Sequence, residues 1–445
     1  MLEGRSSLIS RALPSSCEQE TKWTYMAYRV EVENSNGKRQ LELNLEEEEG
    51  FRKASRGCDR EEILSRDEFD RLSLTLATPV DHTNNSQSQA DEQADMDCLI
   101  NPIGRDMTIN CLLSCSRVNY GSIASLNRSF RSLIKSGDMY KLRRQNNVIE
   151  HWVYFSCRLL EWVAFDPTSR RWMQLPRMNS NECFMCSDKE SLAVGTELLV
   201  FGKDLMSHVI YKYSILTNSW SSGMSMNFPR CLFGSASLGK IAIFAGGCDS
   251  SGNILSSAEL YDSENHTWVT LPSMIKPRKM CSGFFMDGKF YVIGGIGGND
   301  TRILTCGEEF DLKTRTWKEI PDMSPGKYPA NYAPSPAEAP PLIAVVDNQL
   351  YAADYADMEV KKYNKKTRSW AVIGRLPECA GSMNGWGLAF RACGKRVIVI
   401  GGLRGHGGGV IEVNSWVPSE GPPEWRMLGK IQSGSFVYNC AVMGC

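Results

Sequence analysis

Short apolar runs recur along this chain, and the polar residues between them mark turns. Three runs end in Gly-Gly, at residues 241–247, 290–295 and 397–402, while the runs at 198–203 and 350–354 keep only part of this pattern. Because the runs are rich in Val, Ile, Tyr and Phe and are bounded by turn residues, they predict β-strands packed between neighbouring sheets. The diglycine is expected where the backbone needs a positive φ or a close approach.

An aromatic residue followed seven positions later by tryptophan recurs in five units. The five pairs are Phe165/Trp172, Tyr213/Trp220, Tyr261/Trp268, Phe310/Trp317 and Tyr363/Trp370. A degenerate sixth unit carries Val413 and then Trp425. The residues of a pair are expected on neighbouring strands, where both rings form the blade core and fill the gap between adjacent sheets. Unrelated β-hairpins with chance tryptophans are the alternative, and the fixed offset argues against them.

The repeat, with a period of roughly 50 residues, resembles the kelch motif, which implies a β-propeller. The predicted fold is mainly β, a six-bladed kelch-type β-propeller over residues 145–445, preceded by a small all-α module and a disordered N-terminal tail. The first unit begins with a second strand, and residues 435–445 resemble first strands, so this segment is predicted to close the ring. The repeat units lie near residues 148–178, 183–226, 231–274, 281–323, 342–377 and 386–428.

Residues 1–95 are polar, mixed in charge and without sustained periodicity, which predicts a disordered or low-complexity region. Two segments of this tail read Leu-x-Leu-x-Leu, one from Leu41 to Leu45 and one from Leu72 to Leu76. They resemble peptides that recruit plant transcriptional co-repressors, so the resemblance implies a co-repressor as a partner. Chance occurrence of leucine triplets is the alternative.

Residues 96–144 change to a helical periodicity. The apolar positions fit a first amphipathic helix with Met107, Ile109, Leu112 and Leu113, a second with Ile123, Leu126 and Phe130, and one or two more with Leu133, Ile134, Met139, Tyr140 and Leu142. A helical segment of this size makes a poor core by itself. It is therefore expected to complete its burial against a partner or a neighbouring domain.

Two stretches of this segment, INCLLSCSR at 109–117 and NYGSIASLNRSFRSLI at 119–134, resemble the F-box of plant F-box/kelch proteins. The chain departs from the usual F-box text where Ile103-Gly104 replaces Leu-Pro and where Ser125 replaces a leucine. The resemblance implies a Skp-family adaptor as partner and, through it, a cullin and a RING protein. A helical cap on the propeller is the alternative. The residues expected to bind the adaptor are Ile103, Ile109, Leu112, Leu113, Ile123, Leu126 and Phe130.

Composition limits the remaining function classes. The net charge is −1, so no general attraction to nucleic acid is expected. No apolar stretch reaches about 18 residues, so no membrane partner is expected. The first residues lack the apolar core of a secretory signal, and the 16 cysteines are interpreted mainly as buried side chains in a reducing compartment. The expected location is the nucleus, the cytoplasm or both.

No catalytic residue, metal site or cofactor is predicted. The sequence has five histidines, scattered without the spacing of metal ligands. The pair Cys183-x-x-Cys186 stands alone, whereas a zinc ribbon needs a second such pair, so both cysteines are expected in a blade strand. Kelch-type copper or iron enzymes need a His/Tyr/Cys or Glu/Asp/His constellation, and the sequence offers no such group.

The loops predict where a partner binds. Strands within a blade alternate in direction, so the loops between second and third strands share one face with the connections between blades. The long segments on this face are 248–257, 296–305, 322–341 and 403–409, and loops on a rigid scaffold often carry binding. Arg230 and Arg278 recur as Pro-Arg before first strands and are candidate substrate-binding residues that grip an acidic group. Alternatively, they satisfy nearby carbonyls or pair with an acidic side chain.

These expectations combine into one predicted function, the substrate-recognition subunit of an SCF-type cullin–RING E3 ubiquitin ligase without catalytic residues of its own. The propeller is expected to bind the protein that becomes ubiquitinated. A kelch protein-interaction scaffold outside any ligase is the competing hypothesis, and a propeller enzyme is a third. Adaptor binding separates the first two, and a bound metal would identify the third.

Overall fold

The computed structural model describes residues 104–158, 160–180, 184–204, 207–297, 302–326, 338–382, 384–403, 409–433 and 436–445. The predictions for the tail at residues 1–95, for its two leucine segments and for Ile103 lie outside the described residues.

Four short α-helices open the described chain. They are α1 (Gly104–Ser114), α2 (Tyr120–Leu126), α3 (Arg128–Lys135) and α4 (Asp138–Gln145). The periodicity predicts one helix through Ile123, Leu126 and Phe130, but the backbone is extended at Asn127, with φ −156°, and separates α2 from α3. The Asn127 side chain accepts a hydrogen bond from the Phe130 amide at 2.8 Å and so caps α3.

The rest of the described fold contains six sheets of four antiparallel strands, here called blades 1 to 6. Blade 1 contains β26 (Asn439–Gly444), β1 (His151–Arg158), β2 (Glu161–Asp166) and β3 (Arg171–Gln174). Blade 2 contains β4 (Phe184–Val194), β5 (Glu197–Asp204), β6 (Ser207–Ser214) and β7 (Ser219–Ser222). Blade 3 contains β8 (Gly234–Leu238), β9 (Ile241–Ala245), β10 (Ala258–Asp262) and β11 (Thr267–Leu271).

The other three blades follow the same order from the inside outward. Blade 4 contains β12 (Ser282–Met286), β13 (Lys289–Ile293), β16 (Gly307–Asp311) and β17 (Thr316–Ile320). A two-stranded hairpin within it consists of β14 (Ile296–Gly297) and β15 (Arg302–Ile303). Blade 5 contains β18 (Leu342–Val346), β19 (Gln349–Asp354), β20 (Glu359–Asn364) and β21 (Ser369–Arg375). Blade 6 contains β22 (Ala389–Cys393), β23 (Arg396–Leu403), β24 (Val410–Trp416) and β25 (Arg426–Gln432).

The six innermost strands form a closed ring. Strand β26 contacts β4, and the contacts continue through β8, β12, β18 and β22 back to β26. The C-terminal strand β26 pairs antiparallel with β1, and Ala441 lies opposite Tyr154. The predicted six-bladed propeller and its closure by the C-terminal segment are therefore confirmed. Closure leaves no open sheet edge between the first and last blades.

The predicted aromatic pairs lie directly opposite each other on the third and fourth strands of blades 1 to 5. In blade 3 the ring centroids of Tyr261 and Trp268 are 4.9 Å apart. In blades 2 to 6 the indole N–H groups add a bond that the sequence did not predict, because each donates to a backbone carbonyl at the end of the preceding blade or in the connection that follows it. These bonds run from Trp220 to Pro176, Trp268 to Met224, Trp317 to Pro272, Trp370 to Met323 and Trp425 to Arg375.

The tryptophans of four pairs are only half-buried, which corrects the prediction that both rings of every pair form the blade core. The first aromatic residue is buried in all five pairs, and so is Trp268. Trp172 of blade 1 instead packs against the edge of this core, with its ring centroid 4.5 Å from that of Phe165 and 6.0 Å from that of Phe155. The reason is position, because the fourth strand is the outermost of each blade and leaves part of the indole facing solvent. The four half-buried rings are those of Trp172, Trp220, Trp317 and Trp370.

Blade 6 departs from the predicted pair of Val413 and Trp425. Trp416 is buried at the end of β24, and its ring centroid is 6.0 Å from that of Trp425. Trp416 therefore takes the place of the aromatic residue in the other blades. The 3₁₀ turn Pro418–Glu420 lengthens the connection, so the two rings are nine residues apart instead of seven.

The diglycines let another part of the backbone approach closely, either just after a strand or within one. Gly247 after β9 has φ +93°, and a Cβ there would lie 2.4 Å from the carbonyl oxygen of Cys231. In blade 6 the diglycine continues β23 rather than ending it, and a Cβ on Gly401 would lie 2.2 Å from the carbonyl oxygen of Cys379. No side chain fits at either position, since real Cβ atoms do not approach a carbonyl so closely.

Candidate functional site

The helical module, residues 104–145, lies at one end of the propeller. Gly137 packs against Leu216 in the turn between β6 and β7, and a Cβ on Gly137 would lie 3.3 Å from Leu216 Cδ1. Beside the module, the Cys445 thiol donates to the carbonyl oxygen of Gly195 in the turn between β4 and β5. Both turns lie at the same end of blade 2, because antiparallel strands alternate in direction. The opposite end, here called the loop face, carries the second-to-third-strand loops and the connections between blades.

A buried arginine fixes the module to the propeller. Nη2 of Arg143, in α4, donates to Glu150 Oε1 at 2.6 Å. Nη1 of Arg143 donates to the carbonyl oxygen of Cys115 at 2.8 Å and to the Tyr120 hydroxyl at 3.2 Å. Glu150 precedes β1 and exchanges two backbone hydrogen bonds with Cys445, which follows β26. One guanidinium group thus joins α4 and the end of α1 to the closing strand pair.

The Glu150 carboxylate and a second arginine complete this contact, here called the seam. Glu150 accepts hydrogen bonds from the Ser116 hydroxyl at 3.0 Å and from the Arg117 amide at 3.2 Å. The Arg117 guanidinium lies 4.5 Å from the ring centroid of Trp152, and its Nη2 donates to the Tyr154 hydroxyl at 3.4 Å. Burial raises the pKa of Tyr154, so this hydroxyl is neutral at physiological pH. The seam therefore combines a half-buried ion pair, whose arginine is fully buried, with a cation–π contact.

Apolar packing extends the seam. Leu113 and Tyr140 of the module belong to the same buried cluster as Trp152, Trp162 and Met443 of the propeller. Burying one such side chain stabilises a fold by roughly 1.5–3 kcal/mol. The expectation that the helices complete their burial against a neighbouring domain is met by blades 1 and 2.

The residues predicted to bind the adaptor divide by exposure. Leu112, Leu113 and Phe130 are buried and belong to the core that the module shares with the propeller. Ile109 and Ile123 are half-buried and pack against that core. Adaptor binding by these five side chains stays a prediction, and the three buried ones have a structural role in the fold described here.

Leu126 differs from the other predicted adaptor residues. It ends α2, and 71% of its surface is exposed. Met107 in α1 is 59% exposed and is the second large exposed hydrophobic residue of the helical module. The module thus presents apolar surface to solvent although most of its apolar side chains face the propeller.

The two arginines predicted to grip a substrate are buried. The side chains of Arg230 and Arg278 are 0% exposed, and each Nη2 donates at 2.7 Å to a carboxylate, that of Glu259 or Glu308. The substrate-binding prediction is corrected here, because the guanidinium groups lie inside the propeller and present no surface to a bound protein. The alternative is correct: both arginines pair with an acidic side chain and bind nearby carbonyls, because a buried charge needs such partners.

Each pair holds the connections of the loop face in place. Arg278 Nη1 donates to the carbonyl oxygens of Gly294 and Cys306, at 3.1 and 3.2 Å. The Glu308 carboxylate accepts the amides of Ile275 and Lys276, at 2.7 and 3.0 Å. The pair of blade 3 repeats this arrangement with the carbonyls of Gly246 and Ser257 and with the amides of Asn227 and Phe228.

These pairs position exposed apolar side chains that sequence reasoning missed. The backbone amides of Phe228 and Ile275 bind the two buried carboxylates, while their side chains are exposed on the loop face. The sequence could have indicated these side chains, because Phe228 lies two positions before Arg230 and Ile275 lies three positions before Arg278. The remaining long loops are described only in part, since residues 298–301, 327–337 and 404–408 lie outside the described residues.

Two further features bear on the kind of site. In the described part of the chain, no group of three or more His, Cys, Asp or Glu is arranged to hold a metal ion. No helix among those described is long and apolar enough to span a bilayer. Cys186 lies in β4, as expected, and Cys183 lies outside the described residues.

Comparison with known proteins agrees with this two-part arrangement. A family model described as the Kelch motif matches residues 229–275 and 277–324. The F-box/kelch-repeat protein SKIP11 of Arabidopsis thaliana is 59% identical over 468 aligned residues, with 100% of both chains covered. The Arabidopsis F-box/kelch-repeat proteins At1g26930 and At1g74510 are 56% and 55% identical, again with 100% of both chains covered. The chain belongs to the plant F-box/kelch-repeat family.

Within this F-box/kelch-repeat chain, the two Kelch matches fall on blades 3 and 4. These are the blades with the buried arginine–glutamate pairs, and each glutamate lies two residues before the blade's aromatic residue. In blade 5 that position is Lys361, which pairs with Asp354 instead, and in blade 6 it is Asn414. The six blades therefore share an architecture but not the polar contacts that order their loops.

Proposed function

We propose that this F-box/kelch-repeat protein is the substrate-recognition subunit of an SCF-type cullin–RING E3 ubiquitin ligase. The helical module binds a Skp-family adaptor, which connects the chain to a cullin and a RING protein. The propeller binds the protein to be ubiquitinated. The chain itself is not an enzyme in this proposal, because transfer of ubiquitin belongs to the conjugating enzyme. The names of the full-length relatives support both halves of the assignment.

The observation that carries the proposal is the exposure of Leu126. Single exposed apolar residues are common on protein surfaces and need no explanation alone. Leu126, however, lies within the stretch that resembles an F-box, on a module whose other face is already covered by the propeller. An exposed leucine at 71% and a methionine at 59% on so small a module provide apolar anchors for a protein partner.

The seam gives the proposed assembly a fixed geometry. Arg143, Glu150 and Arg117 join the module to blade 1 through hydrogen bonds and a cation–π contact, and the loop face lies at the other end of the blades. A protein held on the loop face is thus kept at a set position relative to the adaptor. Phe228 and Ile275 are the exposed apolar side chains of that face that we propose as substrate contacts, in place of the buried arginines.

The experiment that tests adaptor binding uses one exposed position on each part of the chain. Leu126→Asp adds a charge where the side chain is exposed, so the fold should tolerate it. Val372→Asp is the matched control, since Val372 is 53% exposed on β21 of the propeller. We expect both variants to melt like the wild-type protein. Co-purification with a Skp-family adaptor should be lost in Leu126→Asp and kept in Val372→Asp.

The outcomes separate the competing functions. Full retention of the adaptor by Leu126→Asp would contradict the proposed docking surface. A wild-type chain that captures partners but never an adaptor would favour a kelch scaffold outside any ligase. The proposed location is the nucleus, the cytoplasm or both, and co-repressor binding by the two leucine segments stays a prediction.

A further inference from the structure

Two cysteines lie side by side where two loops of the loop face meet. Cys231 lies near the end of the connection between β7 and β8, and Cys248 lies near the start of the loop after β9. They form an isolated antiparallel bridge, in which each amide donates to the other's carbonyl oxygen, at 3.0 and 2.8 Å. Their sulfur atoms are 3.5 Å apart, and both side chains are buried. The two thiols thus already share a hydrogen bond.

The backbone geometry at this bridge suits a covalent link. Residues that exchange both backbone hydrogen bonds in an antiparallel pair have Cα atoms about 5.5 Å apart. A disulfide joins residues whose Cα atoms are about 4.4–6.8 Å apart. Cys231 and Cys248 therefore meet the main distance requirement without movement of either loop.

Cys248 also differs chemically from the other buried thiols. A hydrogen bond from Cys231 lowers its pKa, against the opposing effect of burial, and the nearby Lys279 lowers it further while Glu190 and Asp249 act in the other direction. Burial raises the pKa of most other buried thiols, to about 11 for Cys281 and Cys440 and to about 12 for Cys379 and Cys393. Since the thiolate is the reactive form, the lowered pKa makes Cys248 more reactive than these four thiols.

We propose that Cys231 and Cys248 are a redox modification site, which hydrogen peroxide converts to a reversible disulfide that ties the β7–β8 connection to the β9–β10 loop. This site does not depend on the proposed ligase function. It lies on the loop face and directly follows Arg230, whose pairing with Glu259 orders the same two loops.

The chemistry is balanced with peroxide as the oxidant. The Cys248 thiolate attacks one peroxide oxygen, the O–O bond breaks, and the leaving hydroxide takes a proton to become water, which leaves a sulfenic acid on Cys248. The Cys231 sulfur then attacks the sulfur of Cys248, the S–O bond breaks, and a second water leaves with the remaining proton. Two thiols are oxidised, and one peroxide is reduced to two waters. Peroxide is small and uncharged, which suits a buried pair.

The test is peroxide titration of the full chain, with differential alkylation and peptide mapping by mass spectrometry. We expect a peptide that links Cys231 to Cys248, lighter by two hydrogen atoms than the reduced pair and lost on treatment with dithiothreitol. Both thiols should disappear about tenfold faster or more than the thiol of Cys281, as expected from its raised pKa. Cys281→Ser is the control variant and should keep the linked peptide, whereas Cys248→Ser and Cys231→Ser should abolish it.

Peptide mapping of the oxidised wild-type protein tests the proposed disulfide even if a serine variant fails to fold. The proposal is overturned if Cys231 and Cys248 stay reduced at peroxide concentrations that oxidise Cys281. It is equally overturned if each is oxidised separately to sulfinic acid without a link between them.

Discussion

The buried pair of Arg278 and Glu308 offers the sharpest test of how the loop face is built. Replacing Arg278 with Met keeps much of the aliphatic volume but removes the 2.7 Å bond to Glu308 and the bonds to two backbone carbonyls. The Glu308 carboxylate, whose side chain is 0% exposed, is then a buried charge without a counter-charge. Breaking such a pair costs about 3–5 kcal/mol, so we expect the free energy of unfolding to fall by that amount.

A second substitution shows whether the lost counter-charge is the cause. Glu308→Gln removes the charge and keeps an oxygen that can accept one of the amides of Ile275 and Lys276. The double variant Arg278→Met/Glu308→Gln should therefore be more stable than Arg278→Met alone, by about 1–2 kcal/mol.

The assay is chemical denaturation followed by tryptophan fluorescence, with Arg426→Met as the matched control. Arg426 pairs with Glu420 at 3.4 Å, and both side chains are exposed, so its loss should change the free energy of unfolding by less than about 0.5 kcal/mol. The reasoning is refuted if Arg278→Met is within about 1 kcal/mol of the wild-type protein. It is also refuted if the double variant is less stable than the single one.

Three further predictions concern the seam, the ring and acid stability. Arg143→Met should speed hydrogen exchange in the helical module and leave the melting of the propeller unchanged; unaltered exchange in the helices would show that the seam does not depend on this ion pair. Deletion of residues 436–445 removes the inner strand of blade 1, so the truncated chain should aggregate or melt well below the full-length chain, and equal melting would contradict closure by β26. Burial acts to raise the pKa of Asp354, but the bond with Lys361 acts to lower it, and this pKa lies below that of an ordinary carboxyl group. The stability that the pair adds is therefore present above the ordinary carboxyl pKa and is lost as the pH falls through the lowered pKa. Asp354→Asn should be less stable than wild type at pH 7, with the difference vanishing in acid, and a constant difference across this range would count against the pairing.

The blade architecture could be predicted because each structural requirement recurs in the sequence. Pairs such as Tyr261 and Trp268 lie opposite each other on neighbouring strands, so a hairpin turn of fixed length imposes a fixed offset. The offset places the two rings but does not determine their burial, and Trp172 on an outermost strand is only half-buried. Blade 6 does not show the seven-residue offset because the inserted turn Pro418–Glu420 lengthens it. Trp416, and not Val413, is therefore the partner of Trp425. A search for any aromatic residue at the end of the third strand would have found it.

The polar contacts were harder to predict, since their partners are distant in the sequence. Arg143 binds the end of α1 and Glu150, and only the fold brings them together. The burial of Arg278 could have been inferred, because blades 3 and 4 share both a Pro-Arg just before the first strand and a glutamate two residues before the aromatic residue. The break between α2 and α3 also had a local signal, as Asn127 is a strong helix N-cap.

The ligase assignment is tested most directly by the modification state of a captured partner. Wild-type protein, Leu126→Asp and Ile275→Asp would each be used to capture partners from cells with the proteasome inhibited, and ubiquitin on the captured partner would be quantified by mass spectrometry. We predict a ubiquitinated partner with wild-type protein, the same partner without ubiquitin with Leu126→Asp, and a loss of capture with Ile275→Asp. Equal ubiquitination of the partner by wild-type protein and Leu126→Asp would contradict the account.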